Sequence, residues 1–391
     1  MTRAYLVAGE ASGDVLGARL IAALRAREPD LTIAGVGGAR MAAEGLESLF
    51  PMADLAVMGI VEVLPAVRLL RRRLAEIVRD IKRLQPDVVV TIDSPGFMLR
   101  ILRAITPFGI PRAHYVAPQV WAWREHRVRH FPGLWEALLC LLPFEPDYFA
   151  GHGLPARFVG HPVLQSGADI GDGARFRARH GIAAEAPVLV LMPGSRRSEA
   201  PRLLPVFGAT LERLEGVLPG LVPVVPVSAA VAATVAAAAA GWRIRPIIAS
   251  DLADKHDAYA TASAALTKSG TSTLELALAG VPMAVTYRVN PLSAMLARRM
   301  IRVEHVAMVN LLAGRRVVPE LLQQDCTPAR LAETVRQLIA DPEVAAAQRA
   351  AFGPVLASLR PPGGEEPAAA AAEAVLGLLR PPPMLRESGL M

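Results

Sequence analysis

Short runs of β-branched and other apolar residues alternate with helically spaced ones along most of the chain. Tyr5-Leu6-Val7-Ala8, Val88-Val89-Val90-Thr91-Ile92, His114-Tyr115-Val116 and Leu138 to Leu142 read as buried strands in the first half. Val188-Leu189-Val190-Leu191-Met192, Val222 to Val227 and Met283-Ala284-Val285-Thr286 do so in the second. Runs that stay apolar on both faces, with helices between them, predict parallel sheets covered on both sides. Glycine and proline cluster from Gly160-His161-Pro162 to Gly173. They cluster again at Pro361-Pro362-Gly363-Gly364, before an alanine-rich helix that Pro381-Pro382-Pro383 ends. The pattern predicts an α/β chain of two doubly wound, Rossmann-like domains, residues 1–165 and 166–345, facing across a cleft. A helical tail follows over 346–391.

Gly216 to Trp242 carries no charge and is long enough to raise the question of a membrane span. Pro219, Pro223 and Pro226 interrupt it and its second half is mostly alanine, so a buried strand followed by an alanine-rich helix fits better. The start of the chain turns glycine-rich and acidic by Glu10 and lacks the apolar core of a signal peptide. With 52% hydrophobic and 20% charged residues, the composition is that of a core-building chain. Cys140 and Cys326 are too few for a disulfide framework or a cysteine-built metal site, and read as reduced cytosolic thiols.

Four strand ends carry chemistry. Val7-Ala8-Gly9-Glu10-Ala11-Ser12-Gly13-Asp14 runs from a strand through a glycine turn into a helix whose free N–H groups suit an anion or sugar hydroxyls. It matches neither the dinucleotide fingerprint nor the P-loop, and Ser12 also suits a plain helix cap. Asp93, after Val88 to Ile92, lies where open α/β sheets place ligands. There it could act as a general base, or simply cap the next segment. Pro193-Gly194-Ser195-Arg196-Arg197-Ser198-Glu199 lets the backbone approach a ligand, with Arg196 placed to hold phosphate or carboxylate. Leu266-Thr267-Lys268-Ser269-Gly270-Thr271-Ser272-Thr273-Leu274-Glu275 gathers hydroxyls and N–H groups suited to a diphosphate, with Glu275 one turn on for ribose hydroxyls. Ser272 and Glu275 also have capping-box spacing. His126 and His130 are four apart but flank Arg127 and Arg129, a poor metal site. Trp121 and Trp123 suit core or ligand platform equally.

Taken in order, these segments resemble the lipid-A-disaccharide synthase family, bacterial glycosyltransferases of the GT-B fold. The likeness rests on Val7 to Asp14, Val57 to Val63, Ile92 to Pro95, His114 to Trp123 and Leu142-Pro143-Phe144-Glu145. It continues through Gly160-His161-Pro162, Pro193 to Arg196, Ser269 to Glu275 and Asn310 to Gly314. It implies transfer of the sugar of UDP-2,3-diacylglucosamine to the 6-hydroxyl of 2,3-diacylglucosamine 1-phosphate (lipid X). The products are a β-1,6-linked disaccharide and UDP, with inversion. By position Asp93 matches the family's candidate base, and Glu10, Ser12 and Gly13 lie in its acceptor- or donor-sugar segment. Arg196 and Asn310 match residues important for activity. Gly194 and Ser195 flank the arginine, and Gly270, Thr271, Ser272 and Glu275 match the nucleotide-binding turn. An arginine and a helix start can take up the charge building on UDP, so the resemblance implies no cofactor and no required metal. The chain departs from the pattern at Gly96-Phe97-Met98, at Gln165 and at Met308-Val309, which leaves acceptor contacts and the loop before Asn310 open.

The net charge of +6 is local. Arg68, Arg71, Arg72, Arg73, Arg79, Lys82 and Arg83 stand among only Glu76 and Asp80, a surplus of five. Leu70, Leu74, Ile77, Ile81 and Leu84 recur at helical spacing, so one face should pack on the core while the other is cationic. With the apolar run before it, the segment around 57–83 is expected to dock peripherally on an anionic inner-membrane surface at its cytoplasmic face. An ordinary solvated helix face is the alternative, and nothing points to nucleic acid. The resemblance also implies a homodimer that exchanges C-terminal segments. Other functions left open are another UDP-sugar enzyme on the same fold, such as a UDP-GlcNAc 2-epimerase or a peptidoglycan glycosyltransferase, and a non-catalytic sugar-nucleotide or lipid-binding module.

Overall fold

The computed structural model describes residues 2–55, 60–196, 199–290 and 303–379. Val57, Met58 and Gly59 of the apolar run, Arg197, Ser198 and the prolines at 381–383 lie outside the described residues. Contacts divide the chain into two compact units, one of residues up to 162 together with those from 359 onward, the other of residues 163–358.

The first unit holds six parallel strands: β1 (Arg3–Ala8), β2 (Thr32–Val36), β3 (Val88–Ile92), β4 (Arg112–Tyr115), β5 (Ala137–Cys140) and β6 (Ala156–Phe158). Their order is β2-β1-β3-β4-β5-β6, so the chain reverses direction across the sheet between β1 and β3. Alternate residues of each strand feed two cores, which explains why the strands read as continuous apolar runs. Leu6, Val90 and Ile92 meet Leu20, Ile21 and Leu24 of helix α1 (Ala11–Arg25). Tyr5, Val7 and Val89 meet Ile77 and Ile81 of α2 (Ile60–Leu84) and Ile101 and Ile105 of α3 (Pro95–Ile105).

The returning tail completes the first core. Gly160 has φ +82° and a Cβ there would stand 2.7 Å from Pro361, so only glycine lets the two segments pass. Beyond that crossing the alanine-rich helix supplies Ala370, Ala371, Ala372 and Val375 to the α1 side of the sheet.

The second unit repeats the plan with β7 (Val188–Met192), β8 (Val222–Pro226), β9 (Ile247–Ala249), β10 (Ala264–Lys268), β11 (Met283–Tyr287) and β12 (Glu320–Leu322). All are parallel, in the order β12-β11-β10-β7-β8-β9, with the reversal between β7 and β10. Leu203, Leu204, Phe207 and Leu211 of α4 (Ala200–Leu214) and Leu331, Val335 and Leu338 of α5 (Pro328–Ala340) cover one face. The charge-free stretch is β8 followed by the helix Ala232–Ala239, and no helix among the described residues is long and apolar enough to cross a membrane.

Helix α2 packs as its periodicity predicts, with Leu70, Leu74, Val78 and Leu84 beside Ile77 and Ile81. One of its cations is corrected by the structure. Arg73 turns inward to Asp54 (2.5 Å) and Glu76 (2.5 Å) with its guanidinium over the Phe50 ring, so it belongs to the packing and not to the cationic face.

Three buried groups link stability to pH. Burial lowers His114 and His161 to about 4 and raises Glu145 to about 7. The imidazoles stay neutral in the fold but bind protons once unfolded, so their contribution is present above about pH 6.5 and lost as pH falls towards 4. Glu145 acts oppositely: its contribution is full below its unfolded value and lost as pH rises through 7. Between roughly pH 4.5 and 6.5 two groups therefore oppose one. His114→Asn should flatten the rise of unfolding free energy with pH by about 1.4 kcal/mol per pH unit relative to wild type. Urea titrations across that window would show it, and parallel curves would refute it.

Candidate active site

In both units most of the expected site residues stand at the carboxyl ends of the two strands flanking the reversal, the position at which open α/β sheets place ligands. In the first unit these strands are β1 and β3. Glu10 begins α1 without capping it, and Oε1 accepts a hydrogen bond from Ser94 Oγ (3.0 Å). Ser12 does not cap the helix either: its hydroxyl donates to Asp93 Oδ2 at 3.0 Å. Asp93 Oδ1 accepts from the Ser94 amide (2.8 Å). Gly13 packs its bare α-carbon against the end of β3, where a Cβ would sit 3.4 Å from the Ile92 carbonyl. Asp14, last residue of the same motif, is structural: its carboxylate accepts from the amides of Gly38, Arg40 and Met41.

Asp93 and Ser94 have φ of +56° and +40°, and Val116 beyond β4 has +80°. Such conformations cost on the order of 1–3 kcal/mol each and persist where the surroundings over-determine them, typically at functional sites. Here they turn the chain sharply at the sheet edge and keep the Asp93 carboxylate partly exposed there.

Two residues beyond Asp93, Pro95 begins the wall of a small cavity of about 60 Å³, lined also by Leu99, Pro118, Trp123, Arg124 and Phe131. The lining is apolar with a cationic rim: Trp123 is 44% exposed, and the Arg124 guanidinium stacks 4.0 Å from its ring centroid. Trp121 instead donates its indole N–H to buried Glu145 (3.1 Å). His126 and His130 lie on a 3₁₀ helix, Glu125–His130, where residues four apart do not share a face.

In the second unit the flanking strands are β7 and β10. Gly194 has φ +106°, and a Cβ there would approach Glu199 Oε2 to 2.9 Å. Ser195 offers its carbonyl to Ser228 Oγ at 3.5 Å. Arg196 is half-exposed and pairs with Glu199 (3.2 Å), which also pairs with Lys268 at the end of β10 (3.1 Å). Gly270 has φ +146° and open space beside it. Thr271 is exposed, whereas Ser272 Oγ turns back to the Lys268 carbonyl (3.1 Å) and Thr267 Oγ1 (2.9 Å). The capping box that the spacing of Ser272 and Glu275 allows does not form. Glu275 Oε2 meets Lys255 Nζ (2.7 Å) and Tyr259 Oη (3.3 Å) instead.

Asn310 is where geometry and expectation part. It is wholly buried, and both ends of its amide are engaged: Nδ2 donates to the Val318 carbonyl (2.9 Å) and Glu320 Oε1 (2.8 Å), while Oδ1 accepts from the amides of Val317 and Val318. A side chain so engaged has nothing left for a substrate. Its reach is indirect. Glu320 also accepts from the Val306 and Ala307 amides, and the Val306 carbonyl accepts from Ser269 Oγ, next to Gly270. Neither the role of Glu320 nor that of Lys268 stood out in the sequence. The only signal for Lys268 was its place between a strand and the glycine–hydroxyl turn.

A family model described as lipid-A-disaccharide synthetase matches residues 4–373. The chain belongs to the lipid-A-disaccharide synthase family. Lipid-A-disaccharide synthase of Gluconobacter oxydans is 63% identical over 378 residues, covering 97% of this chain and 91% of its own. That of Granulibacter bethesdensis is 60% identical over 385 residues, covering 96% and 98%. Among solved structures, UDP-GlcNAc 2-epimerase from Neisseria meningitidis bound to UDP-GlcNAc superposes with a TM-score of 0.64 at 13% identity, covering 97% of this chain and all of its own. The calicheamicin glycosyltransferase CalG4 gives 0.58 at 18% identity, covering 97% and 98%. Those two likenesses establish the GT-B fold. The family membership decides between a synthase and an epimerase on that fold, and makes the chain a hexosyltransferase of lipid A disaccharide synthesis.

Proposed function

We propose that Asp93 is the general base of the synthase reaction and that the strand ends of the second unit hold UDP-2,3-diacylglucosamine. The observation that carries the reading is the array Ser12–Asp93–Ser94–Glu10 at the reversal of the first sheet. It fixes a partly exposed carboxylate by two hydrogen bonds, with no ion pair to it among the described residues. Asp93 takes the proton of the acceptor's 6-hydroxyl as that oxygen bonds to the anomeric carbon. The bond from that carbon to the diphosphate breaks on the opposite side, and its electron pair leaves with UDP. One displacement inverts the centre, so no covalent sugar intermediate is needed. Arg196 supports the charge growing on the diphosphate. Gly194 and Gly270 let the backbone close on it, with Ser195, Thr271 and Ser272 in the two turns and Glu275 towards the ribose. Glu10, Ser12 and Gly13 shape the sugar side.

The small pocket whose wall begins at Pro95 joins apolar side chains to the arginines Arg124 and Arg127, a chemistry compatible with one edge of an acylated, phosphorylated acceptor such as lipid X; at about 60 Å³ it does not hold an acyl chain. UDP release from the diacylated donor and lipid X tests the reading. If plain UDP-GlcNAc served equally well, the lipid assignment would fail.

Acylated substrates reside in a bilayer, which supports a peripheral position for the enzyme at the cytoplasmic face of the inner membrane. The surface we assign to that contact is the exposed stripe Arg68, Arg71, Arg72, Arg79 and Lys82 of α2. Changing Arg68, Arg71 and Arg79 to glutamate should abolish sedimentation with anionic vesicles at physiological salt while leaving the melting temperature unchanged. Undiminished binding would refute the assignment. Exchange of the alanine-rich C-terminal helix between two copies would reproduce its contacts with α1, and equilibrium sedimentation distinguishes such a dimer from a monomer.

A further inference from the structure

We propose that Lys268 is a second cation for the donor diphosphate, and that the Glu199 carboxylate occupies the diphosphate's place until the donor displaces it. The inference rests on the reading of the second unit as the UDP-sugar side and adds to it two residues and an exchange step.

The geometry is specific. Lys268 Nζ and Arg196 Nη1 come from the ends of the two strands at the reversal of the second sheet. Both converge on one oxygen, Glu199 Oε1, at 3.1 and 3.2 Å. The other oxygen, Oε2, is buried and has no hydrogen-bond partner among the described residues. A buried carboxylate oxygen without a donor is costly, and a native fold that keeps one calls for a reason. Its position supplies one. Oε2 sits 2.9 Å from where a Gly194 side chain would begin, in the space that this left-handed glycine frees beside the strand end. A negatively charged group thus fills the gap between two cations at a ligand-binding edge. One carboxylate leaves this pair of cations with a net positive charge, which a diphosphate matches better. Lys268 is held in place, only 17% exposed and 5.8 Å from the ring of Tyr287 on the next strand. A partly buried ammonium loses less to solvent screening than a surface lysine, so its charge is felt by a ligand.

On donor binding the Glu199 side chain leaves the pair and the diphosphate oxygens accept from Lys268 and Arg196. Nothing is formed or broken covalently. The exchange also keeps two like charges from facing each other in the empty site.

The test is UDP binding to the full chain by calorimetry and uridine binding by ligand-observed NMR, in wild type, Lys268→Gln, Lys268→Arg and Glu199→Gln. A lost charge-assisted bond to phosphate corresponds to about 10-fold or more in affinity. Lys268→Gln should weaken UDP by that factor and leave uridine unchanged, which also reports an intact fold. Lys268→Arg should stay within about 3-fold of wild type, since it keeps the charge. Glu199→Gln should tighten UDP by about 3-fold or more, because no ion pair has to be broken. Unchanged UDP binding in both Lys268→Gln and Glu199→Gln, or weaker binding in Glu199→Gln, would overturn the exchange while leaving the UDP site standing. Failure of the wild type itself to bind UDP would overturn the donor-site reading as well.

Discussion

Asp93→Asn should lower kcat by about 10² to 10⁴-fold, the range expected for loss of a general base. UDP affinity should stay within a factor of two. The variant separates charge from shape. Asparagine tolerates the left-handed φ of +56° and keeps an oxygen for the Ser94 amide. Ser12, being both donor and acceptor, can turn its hydroxyl to meet the new amide nitrogen. The turn therefore survives and only the proton acceptor is lost. Asp93→Ala would remove both and could not be read so cleanly. Ser12→Ala should cost less than either, because it takes one of two hydrogen bonds from Asp93 and leaves the proton acceptor itself in place. Single-turnover UDP release measures these rates, and an Asp93→Asn enzyme at full rate would remove Asp93 from the mechanism.

How far such a site was legible from the sequence depended on which side chains act through their own backbone position. Asp93 and Arg196 were visible because a long apolar strand announces its own end, and in a parallel sheet that end is where ligands sit. β3 and β7 match the expected runs residue for residue. β2 did not stand out because Ala34 and Gly35 dilute its apolar run. β10 begins with two alanines that continue the preceding helical pattern, so the strand under the most informative turn was hidden. β6, β9 and β12 have three residues each, too few for any periodicity to show. Side-chain direction was the other gap. Arg73 sits in a run of three arginines, and only the fold shows that it faces Asp54 and Phe50. Glu199 and Lys268 are far apart in sequence and meet only because β7 and β10 are neighbours in the sheet. The resemblance placed Asn310 among residues that matter for activity, but its burial could not be read from a short motif.

That burial changes what Asn310→Ala should do. A side chain touching substrate could be removed at little cost to the fold. Asn310 instead satisfies the buried amides of Val317 and Val318, the Val318 carbonyl and one oxygen of Glu320. Each of these four groups left unpaired costs about 1–3 kcal/mol, so the total should reach about 4 kcal/mol or more, among the larger effects of single substitutions. In a unit of this size that corresponds to a fall of roughly 10 °C in melting temperature. The loss should then travel. Freed of Asn310, Glu320 holds Val306 and Ala307 less firmly, and Ser269 loses its fixed carbonyl partner beside the donor turn. KM for the donor should rise by about 10-fold or more, with a smaller fall in kcat, the opposite split to Asp93→Asn. Asn310→Asp sharpens the point. One oxygen could still accept from the two amides, but the other would face the Val318 carbonyl and the Glu320 carboxylate, acceptor against acceptors. It should be no more stable than the alanine variant. Thermal unfolding alongside donor KM decides the matter: activity lost at an unchanged melting temperature would return Asn310 to direct contact with substrate.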